Sequence, residues 1–557
     1  MIGAQGAGAP SWIRRRPGAA GPGASLAPRR WWTVAAWIGG ILALFALMLR
    51  ISLSGPMTSD EANNALQAWD MLHGNLLLHG WIIGDATYYT FELPMYVITE
   101  SLLGLHSVAG HVVSALTYVI VAACAMSLAR AGSSGLAAAA RRAAVLAVLA
   151  VPLVTLPGVS ILTGTPNHFG TSAIMLGSFI LIDRAPDRRF TAPLLGAILC
   201  AGQVGDATVL YVAVPAVLVV CAYHVLAARK IRTGDAAIWV AAAVSVPLAS
   251  LIRAAMRHLG AYSMIRPRTR ISLPDRWLRH AGLALRAIRT LFGMMVTAPV
   301  TALAVAGAAL GLVCLLAAII GFARAMWTWG TATRAEQLVC VAIVVNIAIY
   351  VISTIPGPRN AREMVAILPC GAVLAARLVP GSIASLARAR IALAAAVLAL
   401  LLPLTAAAIR PPATPPAVPL AAWLEAHGLS YGIAGYWDAS AVTVQSGNHV
   451  QVRAVRAFRR LTPGHWETKP EWYKPSAHDA TFVIADPAHT YAHGNLTIAA
   501  VRHYLGPPVA TARVAGRLIL IYRTNLLRKL KPPLPPKKHS HRRAAAGIRL
   551  RPLERAI

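Results

Sequence analysis

Long apolar runs alternate with short, arginine-bearing polar stretches along most of this chain. The runs fall near residues 31–49, 107–129, 143–161, 171–183, 191–205, 207–227, 236–252, 291–321, 336–355, 363–379 and 389–408. Several reach the ~20 residues that a helix needs to cross a bilayer. None alternates apolar and polar positions as a barrel strand does. The pattern therefore predicts a multi-pass α-helical membrane protein with about eleven spans, since only helices and closed barrels satisfy their backbone in lipid. The segment 94–104 is shorter and reads as a re-entrant or interfacial helix. Residues 1–30 are Gly, Ala, Pro and Arg and read as a disordered cytoplasmic leader. The run Trp31–Leu49 is too long for the core of a signal peptide and no A-x-A site follows it, so it reads as an uncleaved first span.

After Pro411–Pro419 the pattern changes. Ala421–His427 and Leu496–Leu505 read as helices, and Tyr431–Trp437, His449–Val455, Thr481–Asp486 and Gly516–Tyr522 as strands. The expected layout is a membrane domain over 31–408, whose first external loop is 50–106, then a small α/β domain over 409–525. A basic, Pro-rich, disordered tail over 526–557 follows.

Composition agrees with this reading. Charged residues make up 13% of the 557, against roughly 25% in soluble proteins. The net charge of +32 is mostly arginine dispersed among loops. Such charge orients a membrane chain and attracts anionic headgroups, so a nucleic-acid partner is not expected. With residue 1 inside, Arg130/Arg141/Arg142, Arg184/Arg188/Arg189, Arg229/Lys230/Arg232, Arg324/Arg334 and Arg388/Arg390 fall in successive cytoplasmic loops. The alternate segments, including the C-terminal domain, are then extracytoplasmic. One segment breaks the rule: 253–290 carries nine arginines against Asp275 alone. Either it binds something anionic, or a span nearby is misplaced. The six cysteines all lie in apolar runs with no metal spacing, and read as small buried side chains.

The unusual polar residues collect on the external face. Met57–Gly74 reads as an amphipathic helix on the membrane surface anchored by Trp69, with Ala62, Ala65, Leu66, Trp69 and Leu72 on one stripe and Asp60, Asn63, Asn64 and Gln67 on another. Its N-terminus presents Asp60 and Glu61. Thr58-x-x-Glu61 fits a capping box, which accounts for Glu61 and leaves Asp60 as the better chemical candidate. Asp85, Glu92 and Glu100 follow in the same loop. His168 lies in the second external turn, where the bland reading is a turn cap. Asp206 lies in the tight turn Gly205-Asp206-Ala207, where a solvated turn and a functional acid fit equally well. Arg359 and Arg362 open a late span, placed either to snorkel to the interface or to grip a lipid phosphate. Acids beside arginines at headgroup level suit proton abstraction from an acceptor together with stabilisation of a departing phosphate. No G-x-x-x-x-G-K-[ST] loop is present.

In this order and placement the motifs resemble the GT-C glycosyltransferase superfamily, in the branch containing protein O-mannosyltransferases and lipid A aminoarabinose transferases. The resemblance rests on Ser59-Asp60-Glu61 after a single span, the helix ending at Gly74, the Arg359-Asn-Ala-Arg362-Glu-Met-Val-Ala-Ile-Leu-Pro369 segment and the Gly435-Tyr-Trp-Asp438 tail domain. Glu363 stands where the family carries an aromatic residue. The resemblance implies a GT-C-like fold and an inverting transfer of a sugar from a polyprenyl-phosphate donor to an acceptor in the cell envelope at the plasma membrane. It implies Asp60 as base, with Glu61 or Asp206 positioning the acceptor or a divalent cation. His168 would help to bind substrate, and Arg359 and Arg362 would hold the phosphate. Two other classes compete: a flippase or transporter of lipid-linked sugars, and a non-catalytic protein that binds envelope polymers.

Overall fold

The computed structural model describes residues 27–532 apart from 165, 228–232, 266–268, 297–299, 358–359, 380–385, 410, 412–413, 459 and 488–495. The leader up to residue 26, the tail from residue 533, the Arg229/Lys230/Arg232 loop and Arg359 lie outside them. The chain enters through α1 (Ala27–Ser52). The first loop is folded, with α2 (Ser59–Leu72), the short strand β1 (Ile82–Ile83) and α3 (Glu92–Leu103). Helices α4 (Val108–Ala129), α5 (Gly135–Ala150), α6 (Leu156–Thr163), α7 (His168–Arg184), α8 (Thr191–Gly205), α9 (Val214–Ala227) and α10 (Thr233–His258) follow. Strand β2 (Ser263–Met264) and helix α11 (Trp277–Leu291) lead into α12 (Ala302–Trp327), α13 (Arg334–Ile352), α14 (Ile367–Ala376) and α15 (Leu386–Ile409).

Among the described residues, seven helical stretches are long and apolar enough to cross a membrane: Val34–Ser52, Val108–Ala129, Gly135–Val154, Val209–Ala227, Thr233–His258, Ala302–Trp327 and Arg334–Ile352. Two apolar runs differ from their expected bounds. The run at 143–161 is broken: α5 stops at Ala150, a 3-10 turn covers Val151–Val154, and α6 restarts at Leu156. Pro152 and Pro157 lack the N–H that a helix interior requires, and each sits at the start of its element. The helix expected over 291–321 starts only at Ala302, where Thr301 accepts from the Ala304 N–H at 3.1 Å. Residues 277–291 form α11, which buries Ala284, Ala287 and Leu291 and exposes Leu278 and Leu285. The arginine-rich segment 253–290 is thus the end of α10, β2 and an amphipathic helix. Arg141 and Arg142, expected in a loop, lie on α5. Arg141 donates to the carbonyls of Val379 (2.9 Å) and Ala131 (3.1 Å), an arrangement that satisfies chain ends where the bundle leaves the apolar layer.

The C-terminal domain contains α16 (Ala417–Ala426), β3 (Tyr431–Ala434), α17 (Tyr436–Gln445), β4 (Gln451–Phe458), β5 (Arg460–Pro463), β6 (Phe482–Ala485), α18 (Ile498–Leu505), β7 (Ala510–Val514) and β8 (Arg517–Ile521). Its six-stranded sheet runs β5-β4-β3-β6-β8-β7, with β3 parallel to β4 and to β6 and the other pairs antiparallel. The strand expected over Tyr431–Trp437 ends at Ala434, because Gly435 turns the chain into α17. At the sheet centre Gly432 faces the ring of Phe482, where a Cβ would come within 2.4 Å. The tail expected to be disordered from residue 526 is folded at its start: Leu526–Lys529 is a 3-10 turn, with Leu526 and Leu527 buried in the domain core.

Helix α2, expected to expose a polar stripe as an amphipathic surface helix does, is covered by protein instead. Its polar stripe is buried as fully as its apolar one: Asn63, Asn64 and Gln67 are as inaccessible as Ala62, Ala65 and Leu66. The reason is α17, which packs on it from the C-terminal domain, while α3 and α4 pack from the membrane side. Trp69 is half-buried against the His73 ring at 4.5 Å. The capping box is present: Thr58 Oγ1 accepts from Glu61 N at 3.2 Å, and the Glu61 carboxylate accepts from Thr58 N at 2.5 Å.

Thr58→Ala is expected to cost about 1 kcal/mol, the usual worth of an N-cap. Faster amide exchange confined to the first turn of α2 is the measurement; exchange at the wild-type rate there would contradict the assignment.

Candidate active site

Three separate parts of the chain meet at one short ladder. β1 pairs in parallel with β2, Ile82 opposite Ser263 and Ile83 opposite Met264. On its other side Ile82 N donates to Thr468 O at 2.7 Å and Thr468 N returns a bond to Ile82 O at 3.0 Å. The first loop, the arginine-rich segment and the C-terminal domain are therefore on the same face of the membrane bundle. A second tie sits nearby: Asp70 of α2 accepts from Lys469 Nζ (2.7 Å) and from Trp81 Nε1 (2.8 Å).

Beside this ladder lies a cavity of about 380 Å³. The first loop contributes Asp60, Asp85 and Tyr88, the late membrane segment Arg362, and the C-terminal domain Tyr436, Trp437, Arg456, His465, Trp466 and Glu467. Gly84 makes room for the indole of Trp466, since a Cβ there would sit 2.7 Å from its ring. Among the five described non-glycine residues with left-handed backbone, two line this cavity: Tyr88 at φ 50° and Glu467 at φ 46°. Such conformations cost on the order of 1–3 kcal/mol and persist where the surroundings impose them. For Glu467 the neighbouring Thr468 ladder fixes the chain.

The sequence-derived candidates separate. Asp60 opens into the cavity, with Oδ2 3.6 Å from Arg362 Nη1. Glu61 is 2% exposed with its carboxylate committed to the helix cap, and it is absent from the cavity wall. Arg359 falls outside the described residues. His168 and Asp206 meet each other instead of opening to solvent. His168 Nδ1 is 2.6 Å from Asp206 Oδ2, and His168 Nε2 is 3.1 Å from Glu363 Oε2. Asp206 also accepts from the Thr171 hydroxyl and from Thr208 N at 2.9 Å. His168 is thus no turn cap; Asn167 caps α7 by accepting from Phe169 N at 2.7 Å. Glu363 is the second acid against the imidazole. Its other oxygen lies 3.9 Å from Arg362 Nε. Asp206, His168, Glu363, Arg362 and Asp60 form one continuous polar chain ending at the cavity.

Sequence reasoning quoted Tyr436 within the Gly435-Tyr-Trp-Asp438 motif without giving it a role, and it did not single out Trp466 or Glu467. Tyr436 Oη donates to Asp60 Oδ1 at 2.5 Å and lies 2.7 Å from Glu467 Oε2. Asn63 Nδ2 donates to Glu467 Oε2 at 3.0 Å, and Ser440 Oγ donates to Asn63 Oδ1 at 2.6 Å. Burial raises the Asp85 carboxyl above its usual range, against the attraction of His168. Burial and then the Asp60 charge push Glu467 up to about 8. Among the described residues no three His, Cys, Asp or Glu side chains converge to hold a metal ion.

The arginine-rich segment has its own concavity. Arg253 and Arg257, with Met256, Tyr262, Ser263 and Met264, line a cavity of about 320 Å³. Both arginines lie near the C-terminus of α10, where the helix dipole favours cations.

His168→Ala would leave Asp206 and Glu363 buried without the ring between them, a loss of about 3 kcal/mol or more. A large fall in thermal midpoint is expected, partly restored by adding Glu363→Gln. No recovery in the double variant would show that His168 does not serve to separate the two acids.

No family model matches the chain, and no curated protein sequence matches it. Solved structures do. The fold is similar to that of ArnT from Cupriavidus metallidurans bound to undecaprenyl phosphate, with a TM-score of 0.55 and 14% identity, covering 89% of this chain and 99% of that one. The same protein in its apo state gives a TM-score of 0.54 at 14% identity, covering 90% and 100%. The likeness extends over nearly the whole of both chains.

Proposed function

We propose that this protein is an inverting glycosyltransferase that moves a sugar from a polyprenyl-phosphate donor to an acceptor of the cell envelope. The reading rests on one observation above the others: Asp60 and Arg362 stand 3.6 Å apart on the wall of a cavity roofed by the C-terminal domain. The fold likeness to a protein crystallised with undecaprenyl phosphate supports the class of donor. In this reading the acceptor hydroxyl or amine attacks the anomeric carbon. The bond from that carbon to the phosphate oxygen breaks, and the polyprenyl phosphate leaves with the electron pair. Asp60 takes the acceptor proton. Arg362 stabilises the charge growing on the phosphate, as a guanidinium can do with two donors at once. His168 and Asp206 hold Glu363 in place, and Glu363 in turn orients Arg362; they position the site without touching the reacting atoms.

The corresponding topology has eleven crossings, adding α15 and the shorter helices α7, α8 and α14 to the seven long stretches. Its N-terminus is cytoplasmic and its C-terminal domain lies outside the plasma membrane. Acids are then concentrated at the outer edge, where nucleotide sugars are absent and a lipid-linked donor is needed.

Native mass spectrometry with polyprenyl monophosphate tests the reading without knowledge of the sugar. Saturable binding by the wild type is expected, weakened at least tenfold by Arg362→Ala and retained by Asp60→Asn. Absence of binding by folded wild-type protein would overturn the proposal.

A further inference from the structure

The cavity contains a hydrogen-bond arrangement that ordinary carboxylates do not satisfy. The Tyr436 phenol has one hydrogen and stands within 2.7 Å of two carboxylate oxygens, Asp60 Oδ1 and Glu467 Oε2. An ionised carboxylate only accepts. If both acids were ionised, the phenol would donate to one and bring its lone pairs against the other. The arrangement closes only when one of the acids carries a proton and donates it to the phenolic oxygen.

The surroundings assign that proton. Asp60 lies beside Arg362, is partly exposed, and receives the phenolic hydrogen at the shorter distance. Glu467 is 7% exposed, with Tyr436 and Asn63 of two different helices against its carboxyl. The charged and titratable groups around it are Asp60 from α2, Asp85 from the first loop and Arg362 from the late membrane segment. Arg456 and His465 of its own domain line the same cavity. Lys469, two residues on, is occupied by Asp70. The Asp60 carboxylate, on the other side of the shared phenol, opposes a second negative charge at Glu467, and the raised affinity of Glu467 for its proton agrees.

We propose that Glu467 is a positioning residue that carries a proton and, through Tyr436, fixes Asp60 so that Oδ1 is held by the phenol and Oδ2 is left to the cavity as the base. The order of bonds is Glu467 O–H to Tyr436 Oη, and Tyr436 O–H to Asp60 Oδ1. No proton is transferred along it in the resting site. Tyr436 and Glu467 both belong to the C-terminal domain, so Asp60 Oδ1 is held in this way only when that domain is docked on α2. The inference rests on Asp60 being the base for its catalytic meaning, but the proton on Glu467 is a property of the folded protein alone.

Docking then depends on pH. A carboxyl that ordinarily titrates near 4.5 and is pushed up to about 8 by its docked surroundings binds its proton more tightly in the docked state. Docking is therefore favoured most below the free value, weakens as pH rises through about 8, and levels off above it.

Infrared spectroscopy of the full-length protein tests the assignment. Glu92 and Glu100 are also buried acids, so the informative quantity is the wild-type spectrum minus that of Glu467→Gln. The expected difference is a protonated-carboxyl carbonyl band at neutral pH that disappears on raising the pH through about 8. Glu467→Gln keeps a donor and an acceptor and should retain wild-type amide protection of α2 at every pH. Glu467→Ala should lose that protection, and wild type should lose it progressively in alkali. No difference band at neutral pH, or a band that persists well above this range, would overturn the proposal. Because polyprenyl-phosphate binding is read separately at Arg362, either proposal can fail while the other stands.

Discussion

The burial of a polar helix between two folded layers is the constraint on which the site depends. Helix α2 buries Asn63 beside Asp60 where it meets the C-terminal domain, and buried polar groups must find partners or cost stability. Tyr436 donates to Asp60, Ser440 donates to Asn63 Oδ1, and Glu467 accepts from Asn63 Nδ2. Ser59 adds a bond from its hydroxyl to Tyr436 O at 2.6 Å. The interface specifies a single docking geometry, since a shift of one helical turn would strand every one of these groups. The cavity is the space left where that docked surface turns away from the membrane bundle.

Around this contact the structure divides its charges by task. Arginines at the opposite end of the bundle are consumed by the fold: Arg141 and Arg377 donate to main-chain carbonyls, and Arg334 pairs with buried Asp235. Arg362 is different, being the arginine of the described cavity wall that faces Asp60. The acids divide likewise. Glu61 closes a helix end, Asp206 and Glu363 hold a histidine, Asp70 ties two layers, and Asp60 and Asp85 open into the cavity. Adjacent residues of the same type thus do unrelated work, decided by which way each points from the first turn of a helix.

Much was legible from the chain itself. Runs of apolar residues near the length of a bilayer fixed the multi-pass helical class, because lipid offers the backbone no other partners. Thr58-x-x-Glu61 set the start of α2 and explained Glu61 through local bonds alone. The alternation of short apolar strands with helices marked the C-terminal domain as α/β, while the parallel pairing of its central strands and helix α17 became visible only in the structure. The legible features depend on interactions between residues close in sequence, or on the solvent around them.

Tertiary structure decided the rest, and for a physical reason. A polar stripe on an amphipathic helix looks the same whether water or another domain will cover it, so nothing in α2 itself announces that α17 packs against it. The pairing of His168 with both Asp206 and Glu363 joins residues up to 195 positions apart, a juxtaposition that no spacing records. Glu467 gave no signal because its environment is built by other segments: its proton comes from burial and from Asp60, more than 400 residues earlier in the chain. Local chemistry named the residues able to act, and the packing of distant segments determined which of them face one another.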